Sequence, residues 1–381
     1  MAFRVLTLTP FFPFAQNEVY GCFVAEPLHA LRQCGVDADV IAVSPAHKRK
    51  LQKIASAGPA EWQRYPCIPG NPGLSSAGAF LFARILRRVR KLYLATPIDL
   101  IHAHAALPCG HAAVLLSREL GVPYVVTVHG LDAFFTNQSK GWAGTLCHRA
   151  AQHVYKRARR VICISERVQD AVLAGAPKAQ CAVVYNGVNV DLFSRSSAPA
   201  DPATILSVGN LIASKGHELL LRSIASLRSA HTGVRCEIIG EGPEREPLKK
   251  LAEQLGISDV VTFLGRGNRS SVADAMRRCT LFALPSSYEG LGCVYLEAMA
   301  CGKPIIGCRG QGIEEIVQHG RNGLLVNPGN VEELTAAISL LLQRPRIREE
   351  LGMAAYETIH FSLTIQQQAQ ELLRIYQESM A

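Results

Sequence analysis

Short runs rich in Val, Ile and Leu recur along the chain, each followed by a stretch of helical length with amphipathic spacing. RVLTL, ADVIAV, DLIHAH, YVVTV, RVICI and CAVVY fill the first half, and ATILSVG, CEIIG, VVTFLG, TLFALP, PIIG and GLLV the second. That alternation predicts βα units and parallel sheets. Most of the runs are apolar throughout, which predicts strands covered by helices on both faces. A chain of 381 residues has room for two such lobes, each able to bury its own core.

The segment Ser194 to Ala203 is rich in Ser, Ala and Pro and has no long apolar side chain, so it reads as an interdomain linker. The expected division is a first lobe over 1–193, the linker over 194–203, a second lobe over 204–362 and a last helix over 363–381. Along that helix Ile365, Ala369, Leu372, Leu373 and Tyr376 recur at three- and four-residue spacing, so it needs a partner surface. The expected partner is the first lobe.

Composition narrows the setting. The 12 cysteines are scattered, with no C-x-x-C, and the chain starts on a strand-like run in place of a basic and then apolar leader. The expected compartment is reducing and cytoplasmic. The long uncharged stretch Leu100 to Ser117 contains histidines, a proline and a glycine, which argues against a membrane span. Residues 1–190 hold 21 Lys and Arg against 10 Asp and Glu, a balance of +11, whereas 191–381 hold 19 against 21. No nucleic-acid-binding motif accompanies the basic half, so no nucleic acid is expected as a partner. Phe80 to Tyr93 combines apolar and basic residues at helical spacing and has two readings: a helix lying on an anionic membrane, or one packed on its own sheet with its arginines in water.

Chemistry concentrates in Leu284 to Pro304. A strand ends at Pro285, a glycine-bearing turn follows, and a helix begins near Gly292. Backbone N–H groups at such a start point towards an anion, and the helix dipole favours it. Glu289 precedes the turn and Glu297 lies within the helix, where a carboxylate is suited to the paired hydroxyls of a ribose.

This segment, with GNLIASKG (Gly209 to Gly216), IIGEGPE (Ile238 to Glu244), VTVHGLD (Val126 to Asp132) and YNGVN (Tyr185 to Asn189), resembles glycosyltransferase family 4, retaining enzymes of GT-B fold. The resemblance runs from the first strand to the last helix. It implies an α/β chain of two Rossmann-like lobes facing across a cleft, the second holding a UDP- or GDP-sugar and the first a saccharide or lipid-linked acceptor. It also implies transfer with retained anomeric configuration, no metal and no other cofactor, in polysaccharide or glycoconjugate assembly at the inner face of the membrane.

By the same resemblance Lys215 neutralises the departing diphosphate, Glu289 faces the donor sugar and Glu297 holds the ribose. Gly290, Leu291 and Gly292 line the donor, His129 meets the transferred sugar, and Gly21 lies near the diphosphate and acceptor. Many members carry an arginine where this chain has Asn210, and a Gly-Gly pair in the first-strand loop where Glu18-Val19-Tyr20-Gly21-Cys22 has one glycine.

Three other patterns carry less. Asp37-Ala-Asp39 has the D-x-D form that holds Mg²⁺ elsewhere but sits at a strand start, where a structural role is expected. His102-Ala-His104 has same-face strand spacing without an evident third ligand. The G-x-G of IIGEGPE lacks the third glycine of a dinucleotide fingerprint, which disfavours an NAD enzyme. Competing readings are a GT-B epimerase or phosphorylase, and a non-catalytic nucleotide-sugar-binding scaffold.

Overall fold

A computed structural model describes residues 3–14, 17–47, 60–69, 71–130, 141–197 and 200–381. Leu131 and Asp132 of the VTVHGLD motif, and Ala198 and Pro199 of the expected linker, lie outside the described residues. The chain forms two compact units, one of Met1–Asn186 with Ile365–Ala381 and the other of Gly187–Thr364.

The first unit runs β1 (Arg4–Thr9), α1 (Cys22–Gln33), β2 (Asp37–Pro45), β3 (Ala60–Tyr65), α2 (Asn71–Ala95), β4 (Leu100–His104), α3 (His111–Leu120), β5 (Tyr124–Val128), α4 (Gly141–Arg157), β6 (Arg160–Cys163), α5 (Glu166–Gly175) and β7 (Cys181–Val183). Its seven strands are all parallel, in the order β3-β2-β1-β4-β5-β6-β7. Every residue of β4 and β5 is buried, as helices on both faces require. The last helix, α12 (Ile365–Met380), belongs to this unit. Ile365, Ala369, Leu372, Ile375 and Tyr376 are buried in one cluster with Val5, Val125 and Ile162 of the sheet. Each such apolar side chain contributes about 1.5–3 kcal/mol.

The second unit runs β8 (Thr204–Val208), α6 (His217–Leu227), β9 (Arg235–Ile239), α7 (Arg245–Gln254), β10 (Val261–Gly265), α8 (Arg269–Arg278), β11 (Leu281–Ala283), α9 (Cys293–Ala300), β12 (Ile305–Cys308), β13 (Leu324–Val326), α10 (Val331–Gln343) and α11 (Pro345–Ser362). Its six strands are parallel in the order β10-β9-β8-β11-β12-β13. In both sheets the order reverses beside the first strand, between β1 and β4 and between β8 and β11. Ligands of such sheets gather beyond the strand ends at that switch point.

The expected linker differs from the structure. The units divide at Asn186, and the described part of 194–203 lies within the second unit. Arg195 places its guanidinium over the Tyr356 ring, and the Asp201 carbonyl accepts from the Thr280 hydroxyl at 2.5 Å. A segment without apolar side chains is anchored here by polar and cation–π contacts, which composition does not register.

Candidate active site

In the second unit the two loops at the switch point are locked together. After β8 the chain makes a single 3₁₀ turn, Ala213–Lys215, and enters α6 through Gly216 at φ 70°. A Cβ on Gly216 would stand 2.1 Å from the Pro285 carbonyl oxygen, so only glycine permits this approach. The Ser287 N–H donates to the Ser214 carbonyl at 2.9 Å and holds the two loops side by side. Lys215 is thereby brought to Glu289, and its Nζ donates to Glu289 Oε1. The two side chains are 18% and 11% exposed, enough shielding for the pair to feel a dielectric well below that of water.

Glu289 is fixed from its other side as well. Its N–H donates to Gln311 Oε1 at 3.0 Å, and the Ser286 hydroxyl approaches its carboxylate at 3.4 Å. Beyond it Gly290 and Leu291 are buried, and Gly292, at φ 86°, caps the start of α9 without a side-chain partner. No side chain caps that end, although the Tyr295 N–H donates to the Gly292 carbonyl at 3.0 Å, and a helix start of this kind favours an anion. Asn210, just past β8, is exposed.

Glu297, within α9, is 5% exposed and accepts from Arg269 Nη1. Arg269 opens α8 behind the Asn268 cap, whose Oδ1 accepts from the Ser271 N–H at 2.8 Å, and its guanidinium lies 4.6 Å over the Phe193 ring. His217, in the first turn of α6, is buried with Nδ1 3.3 Å from Ser207 Oγ. Burial, and then the charge of Lys215, push its pKa down to about 4.

In the first unit Gly21 caps α1 at φ 73°, where a Cβ would strike the Phe11 backbone at 2.3 Å. His129, after β5, packs its ring against Phe11 and Phe23. Its Nε2 lies 2.9 Å from His104 Nδ1 at the end of β4. His102, two residues back on that strand, uses both ring nitrogens, one at 2.6 Å from the Tyr376 hydroxyl and one at 2.7 Å from Thr127 Oγ1. Burial pushes the pKa of His102 down to about 3, and burial together with His102 does the same to His129.

The structure thus gathers Lys215, Glu289, Gly290, Leu291 and Gly292 on two adjoining loops and Glu297 on the helix that follows. Gly21 and His129 lie in the other unit. Asp39 of the D-x-D pattern is 2.7 Å from Arg4 Nη2, an ion pair that ties β2 to β1. Arg269, Ser286 and Gln311 were not legible as site residues. Arg269 and Gln311 belong to no short motif and reach their carboxylates only through tertiary packing, whereas Ser286 lies three residues before Glu289 in the same turn.

Residues 190–358 match the family described as Glycosyl transferases group 1, and residues 23–192 match Glycosyltransferase Family 4. An uncharacterised glycosyltransferase of Methanocaldococcus jannaschii is 32% identical over 67% of this chain and 68% of its own length. A putative teichuronic acid biosynthesis glycosyltransferase of Bacillus subtilis is 26% identical over 98% of both chains. Among solved structures, HepE of Anabaena in complex with UDP superposes with a TM-score of 0.77 at 19% identity, over 97% of this chain and 98% of that one. With its two parallel-sheet Rossmann-like lobes and these matches over both halves, the chain is a glycosyltransferase of GT-B fold and belongs to glycosyltransferase family 4, the group 1 enzymes.

Proposed function

We propose that the enzyme moves a sugar from a UDP- or GDP-sugar to a hydroxyl of a saccharide or lipid-linked acceptor, with retention and without a metal. The observation that carries this reading is the shielded Lys215–Glu289 pair beside the uncapped start of α9. Breaking the anomeric C–O bond leaves charge on the nucleoside diphosphate. An ammonium and backbone amides already aimed at that position stabilise the charge with little reorganisation. The new C–O bond forms on the face from which the diphosphate departs, and the acceptor's proton passes to a leaving phosphate oxygen. Glu289 then faces the sugar, Glu297 holds the ribose hydroxyls, and Asn210, Gly290, Leu291 and Gly292 line the donor. Gly21 and His129 serve the acceptor and the transferred sugar. The UDP complex of the Anabaena protein and the teichuronic acid assignment of the Bacillus relative support a nucleotide-linked donor and a polysaccharide product.

A donor screen tests the reading. The matching nucleotide sugar at a hundred times its Kd is expected to stabilise the protein by about 2.7 kcal/mol. Transfer is expected to persist in EDTA, with a product whose anomeric coupling constant matches the donor's. An inverted product, or complete loss in EDTA restored by Mg²⁺, overturns the mechanism.

The basic first unit is assigned to an anionic membrane surface. None of the described helices is long and apolar enough to cross a membrane. Phe80 on α2 and Trp142 and Leu146 on α4 are exposed, and the two helices pack together, with Arg84, Arg87 and Arg149 also exposed. Each basic side chain near such a surface contributes about 1 kcal/mol. The protein is expected to sediment with phosphatidylglycerol vesicles at low salt and to leave them as the Debye length shrinks to about 8 Å at 0.15 M. Failure to sediment at 0.01 M salt favours a soluble acceptor.

A further inference from the structure

We propose that Arg269 is a positioning residue for the donor's ribose: seated on the Phe193 ring, its guanidinium turns the Glu297 carboxylate to meet the sugar hydroxyls. This rests on the proposed role of Glu297. Arg269, Glu297 and Phe193 all belong to the second unit.

Glu297 lies within α9 and is 5% exposed. A charge so placed needs a partner, and a carboxylate meant to take both hydroxyls of a ribose also needs a fixed direction. Arg269 meets both needs. Its Nη1 donates to Glu297 Oε1, and the two side chains are 19% and 7% exposed. One oxygen is thereby anchored, which stops the carboxylate from turning, while its remaining lone pairs can accept from hydroxyls.

The guanidinium is itself fixed. Its central carbon lies 4.6 Å over the ring of Phe193, which is fully buried. Phe193 is held in turn, because its N–H donates to the Asn189 carbonyl at 2.9 Å and Asn189 Oδ1 accepts from the N–H groups of Asp191 and Leu192. The Leu192 carbonyl accepts from Arg277 Nη1 at 2.8 Å, and Arg277 lies on α8, the helix that Arg269 opens. A planar cation lies flat on an aromatic face and still presents N–H groups at its edge, which an ammonium cannot do. The approach to Glu297 is set by the ring and not by a flexible stem.

Stability does not account for this placement. Arg269 is the first residue of α8, where the helix dipole favours an acid, yet the first turn contains none. The helix start is already served by Asn268, whose Oδ1 accepts from the Ser271 N–H at 2.8 Å. A shielded ion pair is also a weak source of stability, since both charges give up water to form it. A local preference broken in this way marks a functional position.

The test is the preference for ribose over deoxyribose, read by calorimetry with UDP, GDP and their 2′-deoxy counterparts. For the nucleotide that binds the wild type, loss of the 2′-hydroxyl is expected to weaken binding about ten- to a hundredfold, the contribution of a hydrogen bond to a charged group. Glu297→Gln and Arg269→Met are each expected to lower that ratio about fivefold or more. Arg269→Met should also raise the donor KM more than it lowers kcat. Arg269→Lys keeps a cation beside Glu297, and so the fold, but lacks the planar seat on Phe193; it is expected to lower the ratio about threefold or more at a wild-type urea midpoint. A merely structural role would weaken both nucleotides alike and leave the ratio in place. A wild-type ratio in either Arg269 variant, with the ratio lowered in Glu297→Gln, overturns the proposal and leaves the ribose role of Glu297 standing. A ratio unmoved by Glu297→Gln, or a wild type that binds neither nucleotide or shows no preference for ribose, withdraws that role and the proposal with it.

Discussion

Lys215→Ala is expected to lower kcat by about 10²–10³, the range seen when one preorganised charge-stabilising donor is removed from a reacting centre. The loss should fall on kcat more than on the donor KM. A ground-state diphosphate already carries charge that water and amides can satisfy, whereas the charge that develops as the glycosidic bond breaks meets only the ammonium and the start of α9. The mutation has a second consequence. It leaves the Glu289 carboxylate, 11% exposed, with the Ser286 hydroxyl at 3.4 Å and no ion-pair partner among the described residues. Breaking a buried pair from one side destabilises by about 3–5 kcal/mol.

The two effects separate in the double variant Lys215→Ala/Glu289→Gln, which restores a neutral site. Urea midpoints should return towards wild type there while the rate stays low. A single mutant within threefold of the wild-type rate would remove Lys215 from the chemistry. A double mutant as unstable as the single would show that the pair is not what holds the two loops.

Legibility in the sequence followed the physics that shapes each element. All twelve apolar runs became strands; those inside the sheets, such as β4 and β5, have no water-facing side and their composition shows it, while β7 and β10 lie at sheet edges. The thirteenth strand, Ala60–Tyr65, escaped notice: AEWQRY lies at the sheet edge, pairs only with β2, and carries Glu61 and Arg64. Such an edge needs only a half-buried surface and is often charged. The last helix was legible from its apolar stripe, though the buried residue is Ile375 in place of Leu373, which is half-buried.

At the site, motif residues were legible where the local chain makes the geometry, as at Gly216 and Gly292. Arg269 beside Glu297, Gln311 beside Glu289 and His104 beside His129 join residues 28, 22 and 25 positions apart. The topology alone creates those pairs. HAH on β4 showed two rings on one face but gave no indication that β5 would bring a third imidazole within 2.9 Å.

That histidine cluster makes the first unit sensitive to acid. His102 is 1% exposed and its pKa is pushed down to about 3, against 6.5 in the unfolded chain. A group with a depressed folded pKa binds its proton preferentially when unfolded, so its contribution is intact above pH 6.5 and is lost as pH falls from there towards 3. Each pH unit in that window removes about 1.4 kcal/mol per histidine, and at pH 5 His102 alone removes about 2 kcal/mol. His104 and His129 shift in the same direction. His129, pushed down to about 3 as well, is expected to remove about as much again, so His102 and His129 together remove about 4 kcal/mol at pH 5, comparable with the whole stability of a small domain.

Both tryptophans, Trp62 and Trp142, belong to the first unit, so urea unfolding followed by tryptophan fluorescence reports that unit. Its midpoint should fall steeply between pH 6.5 and 5. His102→Gln, which keeps polar atoms near Tyr376 and Thr127 without a titrating ring, should flatten the slope by about one proton. A slope unchanged by that substitution would mean that the acid sensitivity resides elsewhere and that His102 is not held neutral by its burial.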